Sequence, residues 1–314
     1  ISKASYRLNL LDIPKKRKIH SKPTAYTGGL AISIAYLVSL KLFAFGSNNL
    51  SLIISIGFLI AIVGFIDDKY SLNIGGKLSL QIIPIIYLIF LENIKLTSIG
   101  DYDFFRLDLN TFSIPFTLFC ILFLINAFNY FDGIDGSLSI TVISVIIILY
   151  FLTSDYGIKL FLIIFLIPIF IFLLFNFELF NLPKLFLGDN GSLLIGFLVS
   201  FILIFYANQK LVHPILLAWS VAIFVYEFLS INLERLINKR PLFKAGLDHL
   251  HHKLLKKNKS ILLTNFLLFF INITLFIIGY TVFKFISPLA SLFMFIFSFI
   301  IFFILREKYL IKIK

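Results

Sequence analysis

The sequence predicts an all-α, polytopic transmembrane helix bundle, and three observations support this fold class. Hydrophobic residues make up 60% of the 314 residues, against about half in soluble domains. Only 14% of the residues are charged, and 40 residues are phenylalanine. Apolar runs recur along the chain at lengths near the roughly 20 residues that one membrane crossing needs. No soluble core needs this much apolar surface, so we expect lipid to be the solvent.

Ten apolar runs are predicted to be membrane-spanning helices within a single domain over residues 1–314. The third and fifth are short for a span. The chain begins with Ile1 rather than Met, so we expect that an N-terminal piece is absent. The predicted spans are 28–45, 50–66, 78–91, 114–131, 138–152, 158–175, 191–206, 211–231, 261–283 and 287–305.

The distribution of Lys and Arg predicts that both ends of the chain are cytoplasmic. With the N-terminus inside, the inside segments hold 22 of the 28 Lys and Arg residues and the outside segments hold 6. Positive charge collects in cytoplasmic loops, which explains the net charge of +12. We do not expect nucleic-acid binding, because the segments outside the spans lack an aromatic and basic single-strand surface. The outside segment 92–113 alternates in polarity and predicts a hairpin.

Four polar clusters interrupt the apolar chain, each at a predicted cytoplasmic end of a span. Five aspartates on one membrane face would repel one another unless a divalent cation neutralised them. Mg²⁺ binds carboxylate oxygens and prefers substrate phosphates as further ligands, so the pattern predicts a Mg²⁺ site for a diphosphate, with Mn²⁺ as a substitute metal. The clusters are Asp67 and Asp68; Asn126, Asn129, Asp132 and Asp135; Asp189; and His249, His251 and His252.

These clusters also have alternative explanations. The aspartates could be ordinary interfacial loop residues, and the DGIDG sequence is also typical of calcium loops, although it lacks the further spaced ligands of an EF-hand. Flanking glycines favour a binding site, because glycine permits a close backbone approach to a ligand. The three histidines allow a zinc site, but the loop around them is strongly cationic. Imidazolium and lysine suit an anionic substrate better.

Two further features have both a topological and a functional interpretation. The N-terminal basic segment, which includes Arg17, Lys18 and His20, is either a cytoplasmic flank or a wall over bound phosphates. Glu227 is a carboxylate inside the eighth predicted span, with no partner that the sequence reveals. Charged residues at membrane depth are expensive, so we expect Glu227 to be paired or functional.

Separated segments of the chain resemble polyprenyl-phosphate N-acetylhexosamine-1-phosphate transferases, relatives of phospho-N-acetylmuramoyl-pentapeptide transferase. In order, the segments are DIPKKRKIHSKPTAYTGG, GFIDDKYSL, KLSLQ, NAFNYFDGIDGS, FLGDNGS and HLHH, within residues 12–252. The resemblance implies about eleven spans around a cytoplasmic cleft, the first span being absent here. It also implies a cell-membrane enzyme that uses a UDP-sugar donor and a polyprenyl phosphate acceptor, and it is compatible with a homodimer.

The resemblance further implies roles for the polar residues. Asp67 and Asp68 would assist attack by the lipid phosphate, and Asp189 would be the main Mg²⁺ ligand. Phe186 would stack on the uracil ring. The other residues that the resemblance places at the nucleotide, the phosphates or the sugar are Asp132, Asp135, His249, His251 and His252 as catalytic residues, and Lys77, Gln81 and Asn129 as binding residues.

Departures from the family pattern concern sugar recognition. Ala25 replaces a proline, Gly246 and Leu247 stand where an aspartate and a basic residue are usual, and Val225–Glu227 replaces a segment with Pro and Asp. The interrupted HLHH sequence resembles the hexosamine branch, whereas the muramoyl-pentapeptide branch has three successive histidines. We therefore expect a UDP-N-acetylhexosamine or a close derivative as donor. Muramoyl-pentapeptide transfer and, in another class, membrane transport are the alternatives.

Overall fold

The computed structural model describes residues 10–12, 23–43, 48–241, 246 and 248–311, with the side chains of 308–311 excepted. Over these residues the chain folds into a bundle of twelve α-helices, which confirms the predicted fold class. The helices are α1 (Gly28–Leu42), α2 (Asn48–Tyr70), α3 (Ile74–Phe90), α4 (Ser113–Phe131), α5 (Ser137–Leu152), α6 (Tyr156–Asn176), α7 (Gly188–Asn208), α8 (Pro214–Ser220), α9 (Ala222–Ile237), α10 (Leu250–Asn258), α11 (Ile261–Phe285) and α12 (Pro288–Ile311).

Each of the ten predicted spans falls on one or two of these helices. Among the described helices, six are long and apolar enough to cross a membrane, and the bent pair α8 and α9 makes a seventh. The first, third and fifth predicted spans correspond to α1, α3 and α5, which are apolar but shorter. The chain is therefore a multi-pass membrane protein.

Polar residues define where several helices begin. The Asn73 side chain accepts a hydrogen bond from the Gly76 amide at 2.7 Å and caps α3. The Asp155 side chain caps α6 in the same way, through the Ile158 amide at 2.8 Å. Such side chains satisfy amides that have no partner within the helix. These two caps mark where a new helix begins between neighbouring apolar segments.

The eighth predicted span differs from expectation, because α8 and α9 meet at a bend of 72°. Asn272 of α11 explains how this break is tolerated. Its side chain donates to the Ser220 carbonyl at 2.9 Å and accepts from the Ile223 amide at 3.3 Å. It also donates to the Ser144 hydroxyl of α5 at 2.8 Å. Backbone groups freed at membrane depth need such partners.

Two antiparallel strand pairs accompany the helices. Strands β1 (Leu11–Asp12) and β2 (Thr24–Ala25) pair, and Ala25 also forms a parallel bridge with Leu185. Strands β3 (Ser98–Tyr102) and β4 (Phe105–Asp108) form a hairpin between α3 and α4, which confirms the hairpin predicted in segment 92–113.

Helix α7 is the centre of the bundle, and every residue from Asn190 to Tyr206 is buried. Its N-terminus is closely approached by α1 and α2 at two glycines. A Cβ atom at Gly29 would collide with the backbone of Gly191, and one at Gly64 would collide with the backbone of Asn190. Only glycine permits this approach. The first turn of α7 is thereby fixed against the ends of two neighbouring helices.

This packing predicts that Gly64→Ala destabilises the protein, whereas Gly75→Ala does not. The added methyl group at position 64 meets backbone atoms that cannot move aside, and such overpacking costs about 1–3 kcal/mol. At Gly75 the new Cβ atom would meet only the Asn73 side chain, at 3.7 Å. Thermal unfolding of the purified variants in one detergent measures the difference. Equal melting temperatures for the two variants would contradict the packing argument.

Candidate active site

The four polar clusters predicted from the sequence lie together at one end of the bundle. The Asn129 amide donates to an Asp189 carboxylate oxygen at 2.9 Å and connects α4 to α7. The Tyr130 and His249 rings lie 5.2 Å apart, which connects α4 to the histidine segment. A Cβ atom at Gly133 would collide with the His251 ring. Residues far apart in sequence therefore form one polar region.

The Lys77 ammonium group joins two of the clusters. Its Nζ atom lies 2.6 Å from Asp189 Oδ2 and 2.8 Å from Asp67 Oδ2. The Lys77 side chain is 15% exposed, and a buried charge needs a partner of opposite sign. The carboxylates of Asp67 and Asp189 therefore meet at the Lys77 ammonium group, close to the N-terminus of α7.

Asp68 is the neighbour of Asp67 in sequence, but it has different contacts. Its Oδ1 accepts a hydrogen bond from the Asp189 amide at 2.9 Å, and its Oδ2 accepts from the Asn190 amide at 3.1 Å. The Asn190 side chain donates to the same Oδ2 at 2.6 Å. The first amides of a helix have no partner within the helix, and a carboxylate also interacts favourably with the helix dipole there. In this structure Asp68 positions the Asp189 backbone, while Asp67 faces Lys77.

Asn129 holds Asp189 from the side of α4. One Asn129 amide nitrogen donates both to Asp189 and to the Ser192 hydroxyl, the latter at 2.8 Å. The resemblance placed Asn129 at the nucleotide, and the structure adds a contact with the predicted metal ligand. Ser192 was not predicted. Its position one turn after Asp189 on α7 is the signal that could have identified it.

The DGIDG segment places its two aspartates in different surroundings. Asp135 Oδ2 forms an ion pair with Lys184 Nζ at 2.7 Å. Lys184 Nζ also lies 5.7 Å from the centre of the Phe186 ring. Burial raises the pKa of Asp132 well above its usual value, and the nearby charges of Asp189, Asp68 and Asp135 raise it further. A cation bound nearby would lower this repulsion and stabilise the charged form of the Asp132 carboxylate.

Lys184 was not predicted as a site residue. It is the only Lys or Arg between α6 and α7, and that isolation was a usable signal. The adjacent Phe186 is held through its backbone. Its amide donates to the Ala25 carbonyl at 2.8 Å, and its carbonyl accepts from the Gly28 amide at 3.0 Å. The Phe186 ring is half-buried beside Lys184 and remains the predicted stacking surface for a base.

The three histidine rings form a compact group. The His249 and His251 rings are nearly parallel at 5.4 Å, and the His251 and His252 rings lie 4.3 Å apart. His251 is fully buried, and neither of its ring nitrogens has a hydrogen-bond partner among the described residues. Burial lowers the pKa of His249 to about 3, that of His251 well below its usual value, and that of His252 as well. Burial therefore favours the neutral imidazole at these three positions over the imidazolium form that we expected.

Other predicted residues are placed as follows. Gln81 lies one helical turn after Lys77 on α3, is fully buried, and has no hydrogen-bond partner for its amide among the residues described. Arg17, Lys18 and His20 lie outside the described residues. Glu227 is paired, as expected, and its partner is Arg306 of α12, at 2.9 Å. The sequence did not reveal Arg306 as a partner, because 79 residues separate it from Glu227.

The donor set fits a Mg²⁺ ion. Asp67 and Asp189 already converge on one cationic point, and Mg²⁺ is usually bound by one or two carboxylates with water and phosphates as the other ligands. Within the described part of the chain, no group of three or more His, Cys, Asp or Glu residues is arranged to hold a metal ion. Neither a three-histidine zinc site nor a third carboxylate ligand for Mg²⁺ is preformed among these residues.

The neutral histidines predict that acid destabilises the folded protein. The pKa of His249 is about 3 when folded and about 6.5 when unfolded. Between these values the unfolded chain binds more protons, so stability falls as the pH drops below about 6.5. Between pH 7.5 and 5.5, the melting temperature of His249→Asn should fall less than that of the unsubstituted protein. Equal pH slopes for the two proteins, measured by thermal unfolding, would rule out this contribution.

Comparison with known proteins agrees with the resemblance seen in the sequence. Residues 50–207, just over half of the chain, match the sequence model of glycosyl transferase family 4. This region contains Asp67, Asp132 and Asp189.

Three relatives are similar over most of the chain. A Bacillus subtilis (strain 168) protein, named as a probable undecaprenyl-phosphate N-acetylglucosaminyl 1-phosphate transferase, is 28% identical over 268 residues, which cover 81% of this chain and 72% of the relative. The undecaprenyl-phosphate alpha-N-acetylglucosaminyl 1-phosphate transferases of Escherichia coli O157:H7 and Yersinia pestis are each 26% identical, over 81% of this chain and 71% and 72% of their own lengths. The family match, with the aspartates gathered at one end of a helix bundle, shows that the chain belongs to glycosyl transferase family 4.

Proposed function

We propose that this protein transfers an N-acetylhexosamine-1-phosphate, or a close derivative, from a UDP-sugar to polyprenyl phosphate and releases UMP. The observation that carries the proposal is the convergence of Asp67, Asp189 and Lys77 at the N-terminus of α7. Two carboxylates and a cation at one point suit a diphosphate and its metal ion. The names of the relatives support a polyprenyl phosphate acceptor and an N-acetylglucosamine derivative as the transferred group.

The reaction replaces one phosphoanhydride bond with another. An oxygen of the lipid phosphate attacks the β-phosphorus of the donor, and the bond to the UMP phosphate breaks. Little covalent chemistry is left to the protein, which has to hold two anions in line and stabilise their charge. Mg²⁺ supplies charge neutralisation on the diphosphate when it is bound. Asp189 and Asp67 would hold the ion.

The other side chains of the site would bind or position the two substrates. Lys77, released from the two carboxylates, offers a cation to a phosphate oxygen. Asn129 and the Asp68 carboxylate keep Asp189 in place. Phe186 and the Lys184–Asp135 pair form one wall for the nucleotide. Neutral imidazoles at His249, His251 and His252 act as N–H donors to the sugar phosphate rather than as cations.

A lipid acceptor explains why the site lies at the end of the spans. Its phosphate remains at the membrane surface while its hydrocarbon chain stays in the bilayer. The 22-to-6 distribution of Lys and Arg supports a cytoplasmic site in the cell membrane. The product fits the first step of a lipid-linked cell-envelope polysaccharide.

Purified protein with Mg²⁺, polyprenyl phosphate and a panel of UDP-sugars tests the function directly. We expect UMP release and a lipid-linked product with a UDP-N-acetylhexosamine, and neither without the lipid phosphate. Faster turnover with UDP-N-acetylmuramoyl-pentapeptide than with every UDP-N-acetylhexosamine would favour the muramoyl alternative. Counterflow of a UDP-sugar in proteoliposomes, without UMP release, would instead indicate a transporter.

Asp189→Asn should remove nearly all turnover while the protein still folds. Losing one charged group at a transferring phosphoryl costs on the order of 3 kcal/mol, which corresponds to ~100-fold in rate. Asp108→Asn is the matched control, because Asp108 is an exposed aspartate on the β3–β4 hairpin. The initial rate of UMP release measures both variants. Substantial activity of Asp189→Asn at ordinary Mg²⁺ concentration would reject the assignment.

A further inference from the structure

We propose that Arg306 and Glu227 form a buried ion pair that positions His249 in the active site. Arg306 lies near the end of α12 and Glu227 lies in α9, and neither residue is near the aspartate clusters in sequence. The inference rests on the proposed function, because that function is what makes His249 an active-site residue. The geometry of the pair is independent of that function.

The pair is buried and strongly connected. The Arg306 and Glu227 side chains are each 1% exposed, and Arg306 Nε lies 2.9 Å from Glu227 Oε2. Arg306 Nη1 also lies 2.7 Å from Glu234 Oε2 and 2.9 Å from Glu307 Oε1. One guanidinium group therefore gathers three carboxylates from two helices. Removing one partner of such a pair leaves an uncompensated buried charge.

The same two residues hold the backbone on both sides of His249. Arg306 Nη2 donates to the Asp248 carbonyl oxygen at 2.7 Å. Glu227 Oε1 accepts from the Leu250 amide at 2.7 Å. One ion pair thus holds the backbone on both sides of His249: Arg306 binds the carbonyl before it, and Glu227 binds the amide after it. The path of the backbone through His249 is fixed by groups that do not belong to its own loop.

This arrangement replaces an ordinary helix cap. His249 is the N-cap residue of α10, and its side chain makes no capping hydrogen bond. Glu227 supplies the missing acceptor and a negative charge at the helix N-terminus, where a carboxylate is stabilising. The His249 ring is therefore not used as a cap. It lies against Tyr130 and His251 instead.

A second tether explains one departure from the family pattern. Asp248 forms a two-point ion pair with Arg235, at 3.1 Å to Nε and 3.0 Å to Nη2. A Cβ atom at Gly246 would collide with the Asp248 carboxylate. The acidic residue is thus found at position 248, and the glycine at 246 leaves room for it. Both Asp248 contacts, through its carbonyl and its carboxylate, restrain the residue before His249.

The test compares four variants of the full chain. Arg306→Met removes the donor to Asp248, and Glu227→Ala removes the acceptor for Leu250. Glu227→Gln keeps a side-chain oxygen for the Leu250 amide and is the conservative rescue. Glu307→Gln is the matched control, because it removes the negative charge of an Arg306 partner that makes no hydrogen bond to residues 248–252.

Two measurements are made on each variant. The first is kcat and the donor KM, where we expect a loss of about 10- to 100-fold in kcat for Arg306→Met and Glu227→Ala, since small displacements of catalytic groups cost this much. The donor KM should change less than kcat does. The second is the rate of diethylpyrocarbonate modification of the peptide 249–252, which should rise in these two variants. His213 is the internal standard, because it lies elsewhere and contacts Asp101.

The outcomes separate the possibilities. Unchanged modification of 249–252 and kcat within about 2-fold for Glu227→Ala would overturn the proposal. Rescue by Glu227→Gln, with Glu307→Gln unaffected, supports it. If Arg306→Met also exposes His213, that variant has lost its fold, and Glu227→Ala, in which Arg306 keeps Glu234, decides. If the unsubstituted protein shows no turnover, the proposed function fails, while the modification rates still decide whether the ion pair holds His249.

Discussion

The N-terminus of α7 is the point on which the site depends. An aspartate stands in the first turn of a helix that is buried along almost its whole length, within a bundle that has lipid as its solvent. A charge in that position needs partners, since burial without them is costly. Lys77 supplies the opposite charge, Asn129 supplies a hydrogen bond, and Asp68 binds the amide of Asp189 itself. The close packing at Gly29 and Gly64 holds α1 and α2 against the first turn of α7, and α2 carries Asp68.

The histidine side of the site is built on the same constraint. Arg306 is a cation near the end of the last described helix, and it is stabilised only because carboxylates of α9 and α12 surround it. These two networks meet at the residues between Tyr130 and Gly133, where α4 ends against the histidine rings. The buried charges of the site thus lie in two ion-pair networks, one around Lys77 and one around Arg306. A substrate with two phosphates would enter a region in which the charged side chains already have partners.

Much of the architecture could be predicted because it follows from apolar run length. All ten runs became helices, and the polar clusters between them were found together. What could not be predicted was the direction of individual side chains. Asp67 and Asp68 are adjacent, yet successive residues on a helix point about 100° apart, so one faces Lys77 and the other faces the amides of α7. Lys184 and Ser192 had sequence signals that were not used, whereas Arg306 was missed because its importance comes from partners that only the fold brings near. The burial that favours neutral histidines could not be read from a basic flanking sequence.

The bend between α8 and α9 has a consequence for how the protein is made. The segment from Pro214 to Ile237 has 24 residues, which as one straight helix would extend about 36 Å, enough to cross a bilayer. The side chain that satisfies the broken backbone, Asn272, belongs to α11 and is synthesised later. Without Asn272, the Ser220 carbonyl and the Ile223 amide would lose these hydrogen bonds, and unpaired backbone groups at membrane depth are costly. The bend that carries Glu227 toward the histidines therefore depends on a later helix, whose Asn272 binds both the break and Ser144 of α5.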